Sequence, residues 1–268
     1  MVVTGSVTRY VAWCVGVTLN KALLCCLALI VLSLPSRAQV VVGAGSTVDL
    51  GSGVVDYNCN DLIVAGTMLL SQAQTMDLDS LTILAGGELN AGAGTLAWSG
   101  DWANQGSFVS GTSSASWTDG CAVTLATMTG NQTFHALALQ SNIGRELRFG
   151  SGQTQTVTTA FTATGSVGML LPIRSTSAGN AGFMRLLGSA SQSVFGIDVA
   201  DNHAIGQPIG FPGPASNYGS VKGSNSTDWF ELLGELRPLP APVMSSLGLA
   251  LLIATLALYA RRGLTKQL

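Results

Sequence analysis

Charge is what this chain lacks most. Only 10% of its 268 residues are charged, less than half the share of an ordinary soluble domain. The charges are also sorted. All 14 acidic residues lie between Asp49 and Glu235, Arg9, Lys21 and Arg37 precede them, and Arg261, Arg262 and Lys266 follow. With six bases against those acids, residues 39–238 carry a net charge of −8. That argues against nucleic acid as a partner, since phosphate binding needs a basic stripe. Lys and Glu, which favour helix surfaces, are scarce in this body, and no amphipathic helix is legible. The pattern Gly-x-Ser-x-Gly is absent, and Gly150-Ser151-Gly152 opens no helix, so neither a nucleophile elbow nor a phosphate cradle is supported. Two cysteines beyond the N-terminal region and two distant histidines, His135 and His203, are too few for zinc. The sequence names no catalytic residue, cofactor or metal.

Glycine, by contrast, is abundant, and some of it is periodic. Gly45, Gly66, Gly86 and Gly106 follow one another at near-constant spacing. Three positions before them stand Val42, Ile63, Ile83 and Ala103, and three after them Val48, Leu69, Leu89 and Val109. These offsets share one parity, which in an extended chain is one face. A unit of about 20 residues that turns one apolar face inward and repeats is the signature of a solenoid. From Val40 to about Phe230, Thr, Val, Ser, Ala and Gly dominate; Leu62–Val64, Leu81–Leu84, Leu137–Leu139 and Gln153–Thr164 read as strands. The expected fold is all-β, a right-handed parallel β-helix over residues 39–232, with equivalent residues stacked about 4.8 Å apart in columns such as Val42–Ile63–Ile83 and Val48–Leu69–Leu89–Val109. About nine coils would make a rod on the order of 45 Å long. A sandwich of hairpins is the competing architecture, but it normally turns every 8–12 residues.

The N-terminus reads as an address. Arg9 and Lys21 precede an uncharged apolar run, Ala22–Leu34, too short to span a bilayer comfortably. Pro35 breaks it, and Ser36-Arg37-Ala38 offers small residues where a signal peptidase inspects them, which places cleavage after Ala38 and makes residues 1–38 a signal peptide. A retained signal anchor is the alternative. Cys14, Cys25 and Cys26 leave with the signal, and Cys59 and Cys121 remain. In an oxidising compartment these two are expected to pair, closing a loop of about 60 residues along the solenoid; two separately buried thiols are the other option.

Trp229 and Phe230 stand where the repeats stop and are expected to plug the last coil, since a solenoid's ends expose unpaired edges. Trp98, Trp102 and Trp117 are expected as packing, although an outward row would stack on sugar rings. Asp77 and Asp79 would share one face of a strand, where a carboxylate pair serves acid–base chemistry or calcium. Asp198, Asp201 and His203 form the best acid–base cluster, set against a plainer role in which turn Asp and Asn bond neighbouring backbone.

At the far end Pro238, Pro240 and Pro242 stiffen a linker (233–242), and residues 243–260 are uncharged throughout, a stretch of transmembrane length. Arg261, Arg262 and Lys266 make residues 261–268 a basic tail that stays cytoplasmic by the positive-inside rule. This three-part layout resembles the PEP-CTERM and IPTL-CTERM sorting signals of Gram-negative bacteria. Against the IPTL pattern Pro-Thr-Leu-Ser-x-Trp-Gly-Leu, the chain reads Pro242-Val243-Met244-Ser245-Ser246-Leu247-Gly248-Leu249, matching at Pro242, Ser245, Gly248 and Leu249 and lacking the Trp. Asp101–Phe108 (Asp-Trp-x-Asn-x-Gly-Ser-Phe) and Gly130–Leu137 (Gly-Asn-x-Thr-Phe-x-x-Leu) resemble segments of the repeat-rich surface proteins that carry such tails. The resemblance implies an exosortase-like membrane protease that recognises the tail, with Arg261 and Arg262 behind the helix, and delivery to the cell envelope.

Two functions follow as expectations. The first is a non-enzymatic, exported cell-surface or extracellular-matrix protein for structure or adhesion, anchored at least transiently by its C-terminal helix. The second is a polysaccharide-binding or polysaccharide-degrading β-helix, a lyase or hydrolase. Convergence of Asp198, Asp201 or His203 with Asp77, Asp79 or Arg185 within about 10 Å in a groove would favour the second.

Overall fold

Short segments rich in Val, Leu, Thr and Ala, broken every few residues by Gly, Asn, Asp or Ser, suit strands and are too interrupted for helices. The computed structural model describes residues 38–121 and 125–231. They form twenty strands and, among the described residues, one helical element, the 3-10 turn Ala215–Tyr218. The expected linker, sorting motif, membrane helix, basic tail and all but the last residue of the signal lie outside the described residues.

Every ladder between strands is parallel, which excludes a sandwich of hairpins. Each coil visits three sides. The first coil is β1 (Gln39–Val42) on side A, β2 (Thr47–Asp49) on side B and the start of β3 (Val54–Val64) on side C. The second takes the end of β3 on side A, β4 (Thr67–Leu69) on side B and the start of β5 (Gln74–Ile83) on side C. Repetition of this path gives a parallel β-solenoid of about eight turns. That is one fewer than glycine spacing predicts, because the later coils are longer. Val42, Val64, Ile83 and Asn104 are successive partners on side A, close to the expected step. Beyond them the step is uneven: it is long where Ala103 pairs with Thr129, Phe149 with Ser175 and Ile173 with Val199, but short again where Met128 pairs with Phe149.

Inward residues stack into columns, but not all of those expected. Side A stacks Val42, Val64 and Ile83, and side B stacks Val48, Met68, Leu89 and Phe108. Ile63 pairs with Thr82 and faces outward, while Leu69 and Val109 are likewise one position off the column. The turns explain the slip. The links from side A to side B are long at 43–46 and 84–87 and short at 65–66 and 105–106. The positions that stack just before side B are therefore Ser46, Gly66, Gly87 and Gly106, not the evenly spaced Gly45 and Gly86. At Gly66 a side chain has no room, since a Cβ would stand 2.2 Å from the Gly43 carbonyl oxygen and 2.4 Å from that of Ser46.

The core of the first half is aromatic. Leu78, Trp98, Trp117 and Leu139 stack on side C. Trp98 lies 4.9 Å from Trp102, which meets Phe108 edge-on at 5.0 Å and Phe134 at 5.4 Å. All three tryptophans are buried, so the packing expectation holds and no sugar-stacking row is formed by them.

The two ends differ. Beyond the first coil, Val40, Val42, Val48, Leu50, Val55 and Tyr57 line an apolar cavity of about 260 Å³. At the other end Trp229 and Phe230 are buried, as expected of a plug. Trp229 bridges to Ile209, its ring 6.5 Å from Phe161, and Phe230 lies 5.5 Å from Tyr218. Gly210, at φ +67°, leaves the space that the Phe230 ring fills.

Candidate functional site

Outward residues on side A of the later coils bring two of the body's bases, Arg148 and Arg174, next to each other. Glu146 and Arg148 alternate on strand Glu146–Phe149, Arg148 pairs in register with Arg174 of the next coil, and Pro172 pairs with Asp198 of the one after. Glu146, Arg148 and Arg174 line a shallow polar groove together with Ser175, Thr176, Ala178 and Asp201. Each charge in it has a partner from the chain. Arg148 Nε donates to Glu146 Oε1 at 2.5 Å. Arg174 donates from one terminal nitrogen to Asp198 Oδ2, and from the other to the carbonyls of Asp198 and Ile173. Two guanidiniums one strand spacing apart repel, and the flanking carboxylates offset that repulsion.

The expected acid–base cluster lies at the edge of this groove but is turned to other work. Asp198 is on side A, bound to Arg174; Asp201 sits at the corner with φ +51°; His203 is on side B. Asp201 Oδ1 accepts from Asn225 Nδ2 at 2.9 Å. That bond first, then the Gly179 amide and the positive charge of Arg174, hold its carboxyl below the usual aspartate range. His203 Nδ1 accepts the Thr227 amide at 3.1 Å and stands 2.9 Å from the Thr227 hydroxyl, so that nitrogen carries no proton. Its ring lies against Phe183 at 5.7 Å. Both side chains thus fasten residues 225–227 onto the coil below.

The remaining candidates do not complete a site. Arg185 pairs with Ile205, a diagonal neighbour of His203, on an exposed strand face away from the side A groove. Asp77 and Asp79 lie in β5, five coils away, about 24 Å along the axis at one strand spacing per coil. They do not share a face, contrary to expectation: Asp77 takes a left-handed conformation at the corner (φ +50°) and is exposed, whereas Asp79 is buried. The corner, by reversing the chain's alternation, separates them. Among the described residues no group of three His, Cys, Asp or Glu side chains is placed to hold a metal ion.

A second constellation, on the corner between sides C and A, was not legible beyond its cysteines. Cys59 and Cys121 are joined in a disulfide with their Cα atoms 5.4 Å apart. They belong to the first and fourth coils, so the strand stack alone would hold them about 14 Å apart. Residues 118–121 close that distance by running back along the corner. The Cys121 amide donates to Ser99 Oγ at 2.9 Å, and its sulfur lies 3.7 Å from the Asp77 carbonyl. Arg145, only 3% exposed, pins this strap: it donates to the carbonyl of Thr118 at 2.9 Å and of Ser99 at 2.5 Å, and its guanidinium lies 4.8 Å over the Trp117 ring. Burial lowers the Arg145 pKa, and Asp119 acts in the opposite direction. A buried cation held by carbonyls and a ring is a structural rivet.

The chain matches no family model, no curated protein and no solved structure.

Proposed function

We propose that this protein is a non-enzymatic, exported rod, a β-helix of right-handed winding, displayed on the envelope of a Gram-negative cell for structure or adhesion. In this reading the signal is removed after Ala38, and an exosortase-like protease takes the tail through Pro242, Ser245, Gly248 and Leu249, with the basic pair Arg261 and Arg262 left inside. The observation that carries it is the occupation of Asp201 and His203 by Asn225 and Thr227: the groups best suited to acid–base chemistry are fasteners of the last turn. The Cys59–Cys121 bond agrees with an oxidising destination. Side C adds a flat, small-residue surface, where Ser116, Ala138, Thr162 and Ser193 lie one above another, suited to broad, shallow contact with matrix.

Mass spectrometry of surface-exposed protein tests this directly. The expected chain begins at Gln39, ends near Pro242–Ser246 and contains linked Cys59 and Cys121. Surface material with an intact tail would overturn the sorting step.

One observation favours the second reading, polysaccharide binding or cleavage: Arg148 and Arg174 stand side by side in a groove, as recognition of carboxylated sugars requires. Saturable binding of a uronate-containing polysaccharide that Arg174→Gln abolishes, or release of shortened chains from it, would establish that reading over the first.

A further inference from the structure

The first coil buries its apolar side chains against the second, and among the described residues nothing lies beneath it. Val40, Val42, Val48, Leu50, Val55 and Tyr57 converge on a cavity of about 260 Å³ that opens at this end of the rod. The backbone is unfinished there too. Ala38 and Val42 carbonyls accept from Asp61 and Ala65 of the coil above, at 3.4 and 2.8 Å. In a parallel ladder alternate residues face alternate neighbours, so the amides and carbonyls of Gln39 and Val41 point out of the open end. Such an edge invites another strand.

Three observations identify what fits. Ala38 already belongs to the ladder, so cleavage after it removes the whole segment that leads into the first coil. At the opposite end of the rod Trp229 and Phe230 fill the core, so among the described residues that end presents no apolar hollow, and a copy docked head to tail would leave the cavity without an equal partner. A second first coil, related by a two-fold axis, supplies what is missing: an antiparallel partner for the free groups of Gln39 and Val41, and an equal apolar surface for the cavity. We propose that the open first coil is a self-association surface on which a second copy of this chain docks, β1 against β1. Because the contact is isologous it closes at two copies and leaves both plugged ends pointing away from each other. The inference rests on the removal of residues 1–38 and is independent of how the tail is processed.

The test uses the full chain as its host exports it, purified in mild detergent, with sedimentation velocity for copy number, mass spectrometry for the N-terminus and a thermal melt for the fold. The expected result is a dimer whose chains begin at Gln39. Val41→Pro removes an N–H that points away from β3, and Val48→Lys puts a charge on the cavity wall; each is expected to weaken the dimer about tenfold or more with little change in a melt taken at monomeric dilution. A monomer beginning at Gln39 would overturn the proposal, as would a dimer that neither substitution weakens. A monomer beginning upstream of Gln39 would overturn it as well, and would separately show that the signal is retained. An intact tail on a dimer beginning at Gln39 would refute only the sorting step.

Discussion

The first four coils and the last four solve the same problem with different means. Early coils keep a short step on side A, pack Trp98, Trp102, Trp117 and Phe108 inside, and are clamped by a disulfide and by Arg145. Later coils take an uneven step and add polar fasteners at their corners: Arg174 on Asp198, Asn225 on Asp201, Thr227 on His203. The lesson is that a solenoid is held together locally, so each stretch needs its own source of stability, covalent and aromatic in one half, hydrogen-bonded and ionic in the other.

The sharpest test of the early half is its register. Val64→Asp buries a carboxylate among apolar side chains and is expected to prevent folding of the first coils, whereas Ile63→Asp, one position earlier and facing outward, is expected to cost no more than an ordinary surface change; circular dichroism of the two variants decides it. Truncating the aromatic core comes next. Trp102→Ala is expected to cost about 3–5 kcal/mol in denaturant unfolding, and Ile173→Ala in the later half about 2–4 kcal/mol; equal losses would erase the contrast between the halves. Third, reduction of Cys59–Cys121 is expected to cost about 2–4 kcal/mol, with faster hydrogen exchange confined to residues 39–121. Fourth, Arg145→Met removes charged hydrogen bonds to the strap, for an expected loss of about 1.5–3 kcal/mol, smaller once the disulfide is already reduced because both act on one segment.

The smallest effect concerns pH in the later half. The Asp201 carboxyl is held below its unfolded value, so its contribution is complete above that value and is lost as pH falls through the folded one. Acidification below about pH 4 is expected to loosen residues 224–228 in hydrogen exchange before the rest of the rod, and Asp201→Asn to remove that early step. The effect is small because the side chain is partly exposed to solvent.

Fold class was legible in the chain because strand period, glycine punctuation and missing helix formers all agree. Register was not, because long and short turns alternate and even spacing selects Gly45 and Gly86 where the stack uses Ser46 and Gly87. The Cys59–Cys121 pairing was legible from an expected oxidising compartment and the cysteine count, yet the strap that makes it reachable was not, because nothing in residues 118–121 marks a reversal along the corner. Asp198, Asp201 and His203 were found as a cluster, but their partners Arg174, Asn225 and Thr227 lie one coil away in sequence, and coils of uneven length cannot be paired by eye without the register. Arg148 and Arg174 were missed for the same reason, although their separation is one coil length.

The strap also acts as a gauge of length. It spans from the fourth coil to the first, so the stretch between Cys59 and Cys121 admits one number of turns and no other: deleting or duplicating a turn there would leave the two sulfurs out of reach by about 4.8 Å. Past Arg145 no covalent tie spans remote coils among the described residues. Variants of this rod that differ in reach are therefore expected to gain or lose whole turns only in that second stretch, while the first keeps its count.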